Sequence, residues 1–427
     1  MLDIKRIRTE PELVRRGLDA KKTQVDLDEI LRLDARVREI LGIVEAKKAE
    51  SNKGSKEIPQ RMKAGEDISA LKAQLAELSK EIKELDQEHK EVETDLAERL
   101  RWLPNLPHES VPIGGEADNV VTRSWGEPKP AAPWRKPHFE IGETLGLLDF
   151  ASASKLSGSG FAVFTGWGAR LERALIQYFL DHNREKFGFL EVSTPYLVKR
   201  ETMYGTGQIP KLEEDMYRTE PDDLFLIPTA EVSITNLFAG DQLAHETLPL
   251  YRMGYSPCFR REAGTYGKET RGLVRVHQFD KVEVVKVVAP ETSYDELESL
   301  VGIAESLLQS LELPYRILTL ASGDLSFAAA KCYDLEVWAP SEERWLEVSS
   351  CSNFEDFQSR RMNLRWRNED NKLVHPHTLN GSALALPRIV VAILDNYQTE
   401  SGTVRVPEVL KPYLGGLEEF TPEGKGA

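Results

Sequence analysis

Two interrupted heptad seams near the start of the chain constrain its fold more than any other feature. Apolar residues at Ile30, Leu33, Val37, Ile40 and Val44 recur at steps of three and four, as a coiled-coil stripe requires. The pattern stops across Ser51 to Glu66, which holds Gly54, Pro59 and Gly65. It resumes as Ile68, Leu71, Leu75, Leu78, Ile82, Leu85, His89, Val92 and Leu96. Two seams joined by one Gly- and Pro-containing connection predict an antiparallel helical hairpin that projects from the body, each arm reaching roughly 45 to 50 Å at the helical rise. A short helix should precede it, because Thr9 and Glu12 are spaced as a capping box around Pro11, and it should run to about Ala20. Coiled coils most often dimerise or act as spacers, and His89 at a seam position is ordinarily a register residue rather than a ligand. However, Lys47, Lys48, Lys53, Lys56, Arg61 and Lys63 gather toward the distal end, where no body surface exists to neutralise them and a phosphate backbone is a natural partner.

Ser256 to Val288 carries the second strong pattern. Arg275, His277, Phe279, Lys281 and Glu283 alternate with positions that include Val274, Val276, Val282 and Val284, which predicts a strand with one apolar and one chemical face. Ser256 to Glu262 repeats the parity with Arg260 and Glu262, and Ala263 to Gly272 supplies a connection, so the stretch reads as a long antiparallel hairpin. Phe279 and Glu283 would lie roughly 13 Å apart along the chemical face. Charges also alternate on ordinary solvated sheet faces, so spacing alone leaves both readings open.

A net charge of -15 over 427 residues excludes a generally basic nucleic-acid binder but not a local basic surface. Lys5, Arg6, Arg8, Arg15, Arg16, Lys21 and Lys22 crowd the first segment. Cys258, Cys332 and Cys351 are scattered without a CxxC pair, so neither a disulfide framework nor a sequence-local zinc site is indicated. The first residues lack an apolar core and no run of about 18 apolar residues occurs, so the expected location is cytoplasmic, with no membrane partner.

The Pro-, Gly- and acid-rich stretch after Trp102 suggests an N-terminal domain at 1–104, a linker at 105–120 and a larger domain at 121–427. In the larger domain, Leu171, Leu175, Tyr178, Phe179 and His182 mark an amphipathic helix, followed by a strand ending near Pro195. Ser293 to Leu313 reads as another helix, and Cys332 to Trp338 and Arg344 to Ser350 as strands. Asn380-Gly381-Ser382 leads into a helix with Pro387 in its first turn, which places Arg388 near a helix N-terminus suited to phosphate.

The segment FRREAGTYGKETRGLVRVHQFDKVE resembles the second signature motif of class II aminoacyl-tRNA synthetases, in the form found in seryl-tRNA synthetases. The helix and strand ending at Pro195 resemble the first motif, the family's dimer interface, and Asn380 to Arg388 with the following helix resembles the third. Thr229-Ala230-Glu231 matches the serine-site loop, and the hairpin matches the tRNA-binding arm. The resemblance covers nearly the whole chain. It implies an α+β protein: an N-terminal antiparallel coiled-coil arm, then a class II catalytic domain built on a mainly antiparallel sheet flanked by helices. It also implies ATP-dependent ligation of L-serine to tRNA(Ser) through seryl-adenylate, with ATP as substrate, Mg2+ as cofactor and a homodimeric assembly. Charging of tRNA(Sec) is left open. Since compact Cys/His spacing is absent, the metal-free branch is expected, without zinc.

The same resemblance assigns residue roles. Arg260, Glu262, Arg275 and Arg388 form the catalytic set: Arg260 bridges the serine carboxylate and α-phosphate, and Arg275 and Arg388 neutralise the remaining phosphates. Phe279 stacks the adenine, while Glu262 and the backbone of Val276 read its edge. Arg260, Arg261 and Glu262, with Glu347, Val348, Ser349 and Ser350, complete the ATP site, and Glu347 and Ser350 are the expected magnesium ligands. Thr229, Ala230, Glu231, Arg260, Glu283, Asn380 and Ser382 surround serine, with the choice between Glu231 and Glu283 for the ammonium left open. Gly264, Gly267, Lys268 and Arg271 are placed to meet the tRNA acceptor end. Two rivals remain: a class II ligase for another small amino acid, and a catalytically silent RNA-binding relative. The first could pass its amino acid to tRNA or to a carrier protein, and the long arm disfavours the carrier; the intact charged set disfavours the second.

Overall fold

The computed structural model describes residues 1–263 and 271–422, and the chain divides into two compact units, Met1–Pro104 and Asn105–Ala427. The first unit consists of α1 (Ile4–Thr9), α2 (Pro11–Ala20), α3 (Leu27–Lys63) and α4 (Ser69–Arg101). With 37 and 33 residues, α3 and α4 extend about 55 and about 50 Å. Arg36 pairs with Glu88, Lys47 with Glu81, Lys48 with Asp86 and Glu50 with Gln74, so from Arg36 to Glu50 the partner number falls overall from 88 to 74: the arms are antiparallel.

The helical unit departs from three local expectations. The helix does not break at Gly54 or Pro59. A Cβ on Gly54 would meet Leu75 Cδ2 at 2.9 Å, so the missing side chain lets the arms approach. Pro59 costs the Ser55 carbonyl its helical donor, but both residues are exposed, so that carbonyl is open to solvent. Thr9 caps nothing; it ends α1, where its hydroxyl donates to the Lys5 carbonyl at 3.0 Å, and α2 begins after Glu10. The distal basic cluster is also partly neutralised within the hairpin, by the two lysine pairs above and by Arg61 with Glu57 at 3.0 Å. Lys53, Lys56 and Lys63 have no acidic partner among the described residues. At the other end of α3, buried Asp34 accepts from Arg8 at 2.7 and 2.8 Å, which fastens α1 to α3 and holds the carboxyl below its ordinary range.

The second unit is built on one sheet. Its strands are β1 (Val120–Trp125), β2 (Leu190–Glu191), β3 (Leu250–Phe259), β4 (Gln278–Val288), β5 (Tyr315–Thr319), β6 (Lys331–Ala339), β7 (Arg344–Asn353) and β8 (His377–Ala385). Their order is β1-β5-β6-β7-β8-β4-β3-β2, antiparallel except at the β3–β2 edge. Among its helices are α5 (His138–Thr144), α6 (Trp167–Phe187), α7 (Ala230–Thr235), α8 (Ser293–Ser310), α9 (Phe357–Arg361) and α10 (Leu386–Asn396). From α6, α8 and α10, Leu171, Leu175, Phe179, Leu300, Leu307, Ile389 and Ile393 join Val282, Val284 and Val288 of β4 in one core. These valines follow the even-numbered parity, so the odd-numbered positions of β4 face the other side.

The ladder is shorter than the alternation suggested. β3 stops at Phe259 and β4 starts at Gln278, so Arg260 and Arg275 lie beyond the strands. The chain leaves regular pairing where Glu262 adopts φ +49° and Gly272 φ +80°, and the His277 N–H donates to the Gly160 carbonyl. Residues 105–120, expected as a linker, are tied into the unit. Asn105 is buried and its side-chain amide donates to the Ala328 and Phe354 carbonyls at 3.0 and 2.8 Å. No helix among the described residues is long and apolar enough to cross a membrane.

Candidate active site

The centre of the site is a group of buried charges on β4. Glu283 is 1% exposed and its Oε2 lies 2.6 Å from Lys281 Nζ, itself buried. A solvated sheet face is thereby excluded. Glu283 stands opposite Ser382 on β8 and Gly254 on β3. Gly254 is required there, because a Cβ would meet the Val192 carbonyl at 2.6 Å.

Glu231 approaches from α7, whose residues are all buried. The Thr229 hydroxyl caps this helix by accepting from the Glu231 N–H at 3.3 Å, which turns the Glu231 side chain into the site. Gln358 on α9 donates to Glu231 Oε1 at 2.7 Å, and the nearby Asn380 side chain on β8 also favours the ionised carboxylate. Burial, followed by the nearby Glu283, pushes the Glu231 carboxyl up to about 7. Two carboxylates thus share one lysine. With both ionised, the pocket is one cation short.

Beyond β4 the site turns to arginines. The Arg260 guanidinium sits 5.1 Å from the Phe279 ring centroid and its Nε donates to the Pro228 carbonyl at 3.4 Å. No carboxylate pairs with it among the described residues. Arg275 is held by Glu262 at 2.5 Å. Arg388, in the first turn of α10, donates to the carbonyls of Val274 and Glu347 at 3.1 and 2.6 Å, with the Glu347 carboxylate 3.4 Å away. On the far side of Glu347, burial and the Glu347 charge push the Asp334 carboxyl up to about 8. Glu347 and Ser350 present oxygen donors only, a set that suits a hard cation but needs further oxygens from a bound ligand. Among the described residues no three His, Cys, Asp or Glu side chains are grouped to hold a metal unaided.

One cavity of about 580 Å³ collects most of the residues expected from sequence: Thr229, Glu231, Arg260, Glu262, Arg275, Val276, Phe279, Glu283, Glu347, Val348, Ser349, Ser350, Asn380, Ser382 and Arg388. Ala230 and Arg261 do not border it. Ala230 packs against Ile234 and Val285, and Arg261 points to solvent while its N–H donates to the Asp215 carbonyl at 2.9 Å. Ser349 spends its hydroxyl on the Ser382 carbonyl at 2.6 Å, and the Val348 side chain belongs to the helix-side core. Gly264, Gly267 and Lys268 lie outside the described residues, whereas Arg271 stacks 4.1 Å from the Phe139 ring. Sequence reasoning missed Gln358, Asp215 and His138, and named Lys281 on the chemical face without giving it a role. Only Lys281 carried a local signal, its place in the alternation.

Comparison with known proteins fits this geometry. Residues 1–107 match the family described as Seryl-tRNA synthetase N-terminal domain, and residues 212–397 match the tRNA synthetase class II core domain (G, H, P, S and T). The chain is 52% identical to the serine--tRNA ligase of Caldanaerobacter subterraneus subsp. tengcongensis, over 97% of this chain and 98% of that one. It is 51% identical to the serine--tRNA ligase of Nitratidesulfovibrio vulgaris, over 99% and 100%. The crystal structure of seryl-tRNA synthetase from Pyrococcus horikoshii complexed with ATP superposes with a TM-score of 0.94 at 41% identity, over 99% of this chain and 100% of that one. With relatives this similar along both chains almost end to end, the chain belongs to the seryl-tRNA synthetase family and carries a class II core.

Proposed function

We propose that the cavity joins L-serine to ATP as seryl-adenylate, releasing pyrophosphate, and then passes the seryl group to the terminal ribose of tRNA(Ser). The observation that carries this reading is Arg260: a guanidinium without a carboxylate partner, between the acidic pocket at Glu231 and Glu283 and the arginines beyond. An amino acid lying across it would set its ammonium against the carboxylates and its carboxylate on the guanidinium. The carboxylate oxygen then attacks the α-phosphorus, and Arg260 bonds both reacting groups through its planar fork. Arg275 and Arg388 offset the charge that builds on the phosphates, and Phe279 offers a face for adenine. The enzyme contributes position and electrostatics, with no covalent intermediate.

Glu283 already has Lys281, so the ammonium goes to Glu231, which lacks a cation of its own. The serine hydroxyl is left to Glu283 and Ser382. Alanine would leave those buried groups unpaired, a loss of about 1 to 3 kcal/mol for each. Glu347 and Ser350 would hold Mg2+ together with phosphate oxygens; when bound, the ion neutralises phosphate charge. Leu190 and Leu197, 55% and 45% exposed near the β2 edge, suit burial in a homodimer. Lys53, Lys56 and Lys63 offer the arm's phosphate contacts to tRNA. A cytoplasmic location and the charging of tRNA(Sec) belong to the same proposal.

Pyrophosphate exchange into ATP, measured with each common amino acid, is expected with serine alone, and Arg260→Ala should lower kcat/KM by about three orders of magnitude. Exchange with alanine or threonine in place of serine would overturn the substrate assignment. As pH falls below about 7, Glu231 takes up a proton and loses its charge for the ammonium. Serine KM should therefore rise by up to about tenfold per pH unit, while Glu231→Gln should bind serine weakly at every pH and flatten the profile. Replacing Lys53, Lys56 and Lys63 together with glutamate should raise the KM for tRNA by about tenfold or more with exchange retained; unchanged charging kinetics would remove the arm from tRNA binding.

A further inference from the structure

A histidine distant in sequence bonds the backbone where the hairpin connection returns toward the site. His138, the first residue of α5, is buried. Its Nε2 accepts from the Leu273 N–H at 3.0 Å, and its Nδ1 lies 3.0 Å from Glu342 Oε1, in the turn between β6 and β7. A backbone N–H only donates, so Nε2 holds the lone pair and Nδ1 carries the proton, which it donates to the Glu342 carboxylate. Glu342 is itself held by Arg344, whose Nε donates to it at 2.7 Å.

The backbone is moulded to this ring. Gly272 adopts φ +80°, and a Cβ there would come within 2.0 Å of His138 Nε2. The residues that follow directly are site residues. The Val274 carbonyl receives Arg388 Nε at 3.1 Å, Arg275 pairs with Glu262, and Val276 borders the cavity. The serine side is built by other elements, α7, β4 and β8.

We propose that His138 is a positioning residue for the nucleotide half of the site: by accepting the Leu273 N–H in one tautomer, it sets where Val274, Arg275 and Val276 lie. Glu342 acts through it by fixing that tautomer. This inference rests on the adenylate-forming reading above. It predicts that losing the acceptor at Nε2 disturbs ATP use and leaves serine recognition alone.

Glutamine places a polar atom where Nε2 lies and can still accept from Leu273; asparagine mimics Nδ1 and cannot. In serine-dependent pyrophosphate exchange by the full-length protein, His138→Asn should lower kcat/KM for ATP by about tenfold with serine KM unchanged, and His138→Gln should recover most of that loss. Glu342→Ala, which frees the tautomer, should show the same ATP-side loss, and it carries the test if His138→Asn does not fold. Rates are referred to active sites titrated by adenylate formation, so a merely structural defect lowers the titre without altering ATP kinetics. Parallel losses for ATP and serine, or His138→Asn indistinguishable from the parent, would overturn the proposal. Absence of exchange in the parent would count against the functional reading instead, and Leu273 amide exchange then decides: faster in His138→Asn than in His138→Gln supports the latch, equal rates overturn it.

Discussion

The ion pair between Lys281 and Glu283 is the constraint from which the catalytic unit's layout follows. Two charges at the centre of a sheet, both out of contact with water, are tolerated only when their remaining donors and acceptors are met. Breaking such a pair by removing one partner typically costs about 3 to 5 kcal/mol. Among the described residues Glu283 Oε2 has no hydrogen-bond partner besides the ion pair, so this charge is left to the pocket and its occupant. Gly254 lets β3 and the Val192 backbone close over Glu283, β8 brings Ser382 opposite it, and α7 and α9 deliver Glu231 already bonded to Gln358. The second carboxylate makes the pocket unbalanced. On the proposed reading an arriving ammonium would be the missing charge, so recognition and relief of electrostatic strain would coincide.

The other half of the cavity has the opposite problem. Three arginines close together repel one another, and the protein limits this by giving Arg275 and Arg388 acidic or carbonyl partners. Arg260 stays uncommitted, braced by a carbonyl and an aromatic ring. A ligand with phosphates at one end and an ammonium at the other meets both demands at once. Donors held in place before the ligand arrives need little reorganisation as charge develops.

What was legible in the sequence depended on whether a signal was local. The alternation through Lys281 and Glu283 and the heptads through α3 and α4 are periodic, so they read directly. The ends of those elements did not. Gly54 and Pro59 are helix breakers by propensity, yet a close-packed opposite arm and exposed backbone let α3 run through both. The apparent strand from Arg275 lost its first residues because Gly272 and Glu262 turn the backbone out of the ladder. Asn105 looked like linker and is buried against carbonyls more than two hundred residues away. Gln358 and His138 were invisible for the same reason: each acts on a site residue supplied by a remote segment. Motif resemblance located most of the cavity, but it named Arg261, whose backbone rather than side chain does the bonding.

The central claim, that the pocket lacks one cation which the amino-acid ammonium supplies, is tested most directly by proton linkage. Binding of a non-hydrolysable seryl-adenylate analogue near pH 7 can be followed by calorimetry in buffers of different ionisation enthalpy. Glu231, partly protonated in the empty pocket, must ionise to meet the ammonium, so about half a proton should be released per site. That release should vanish in Glu231→Gln. Binding without proton release, or release that persists in the variant, would contradict the account.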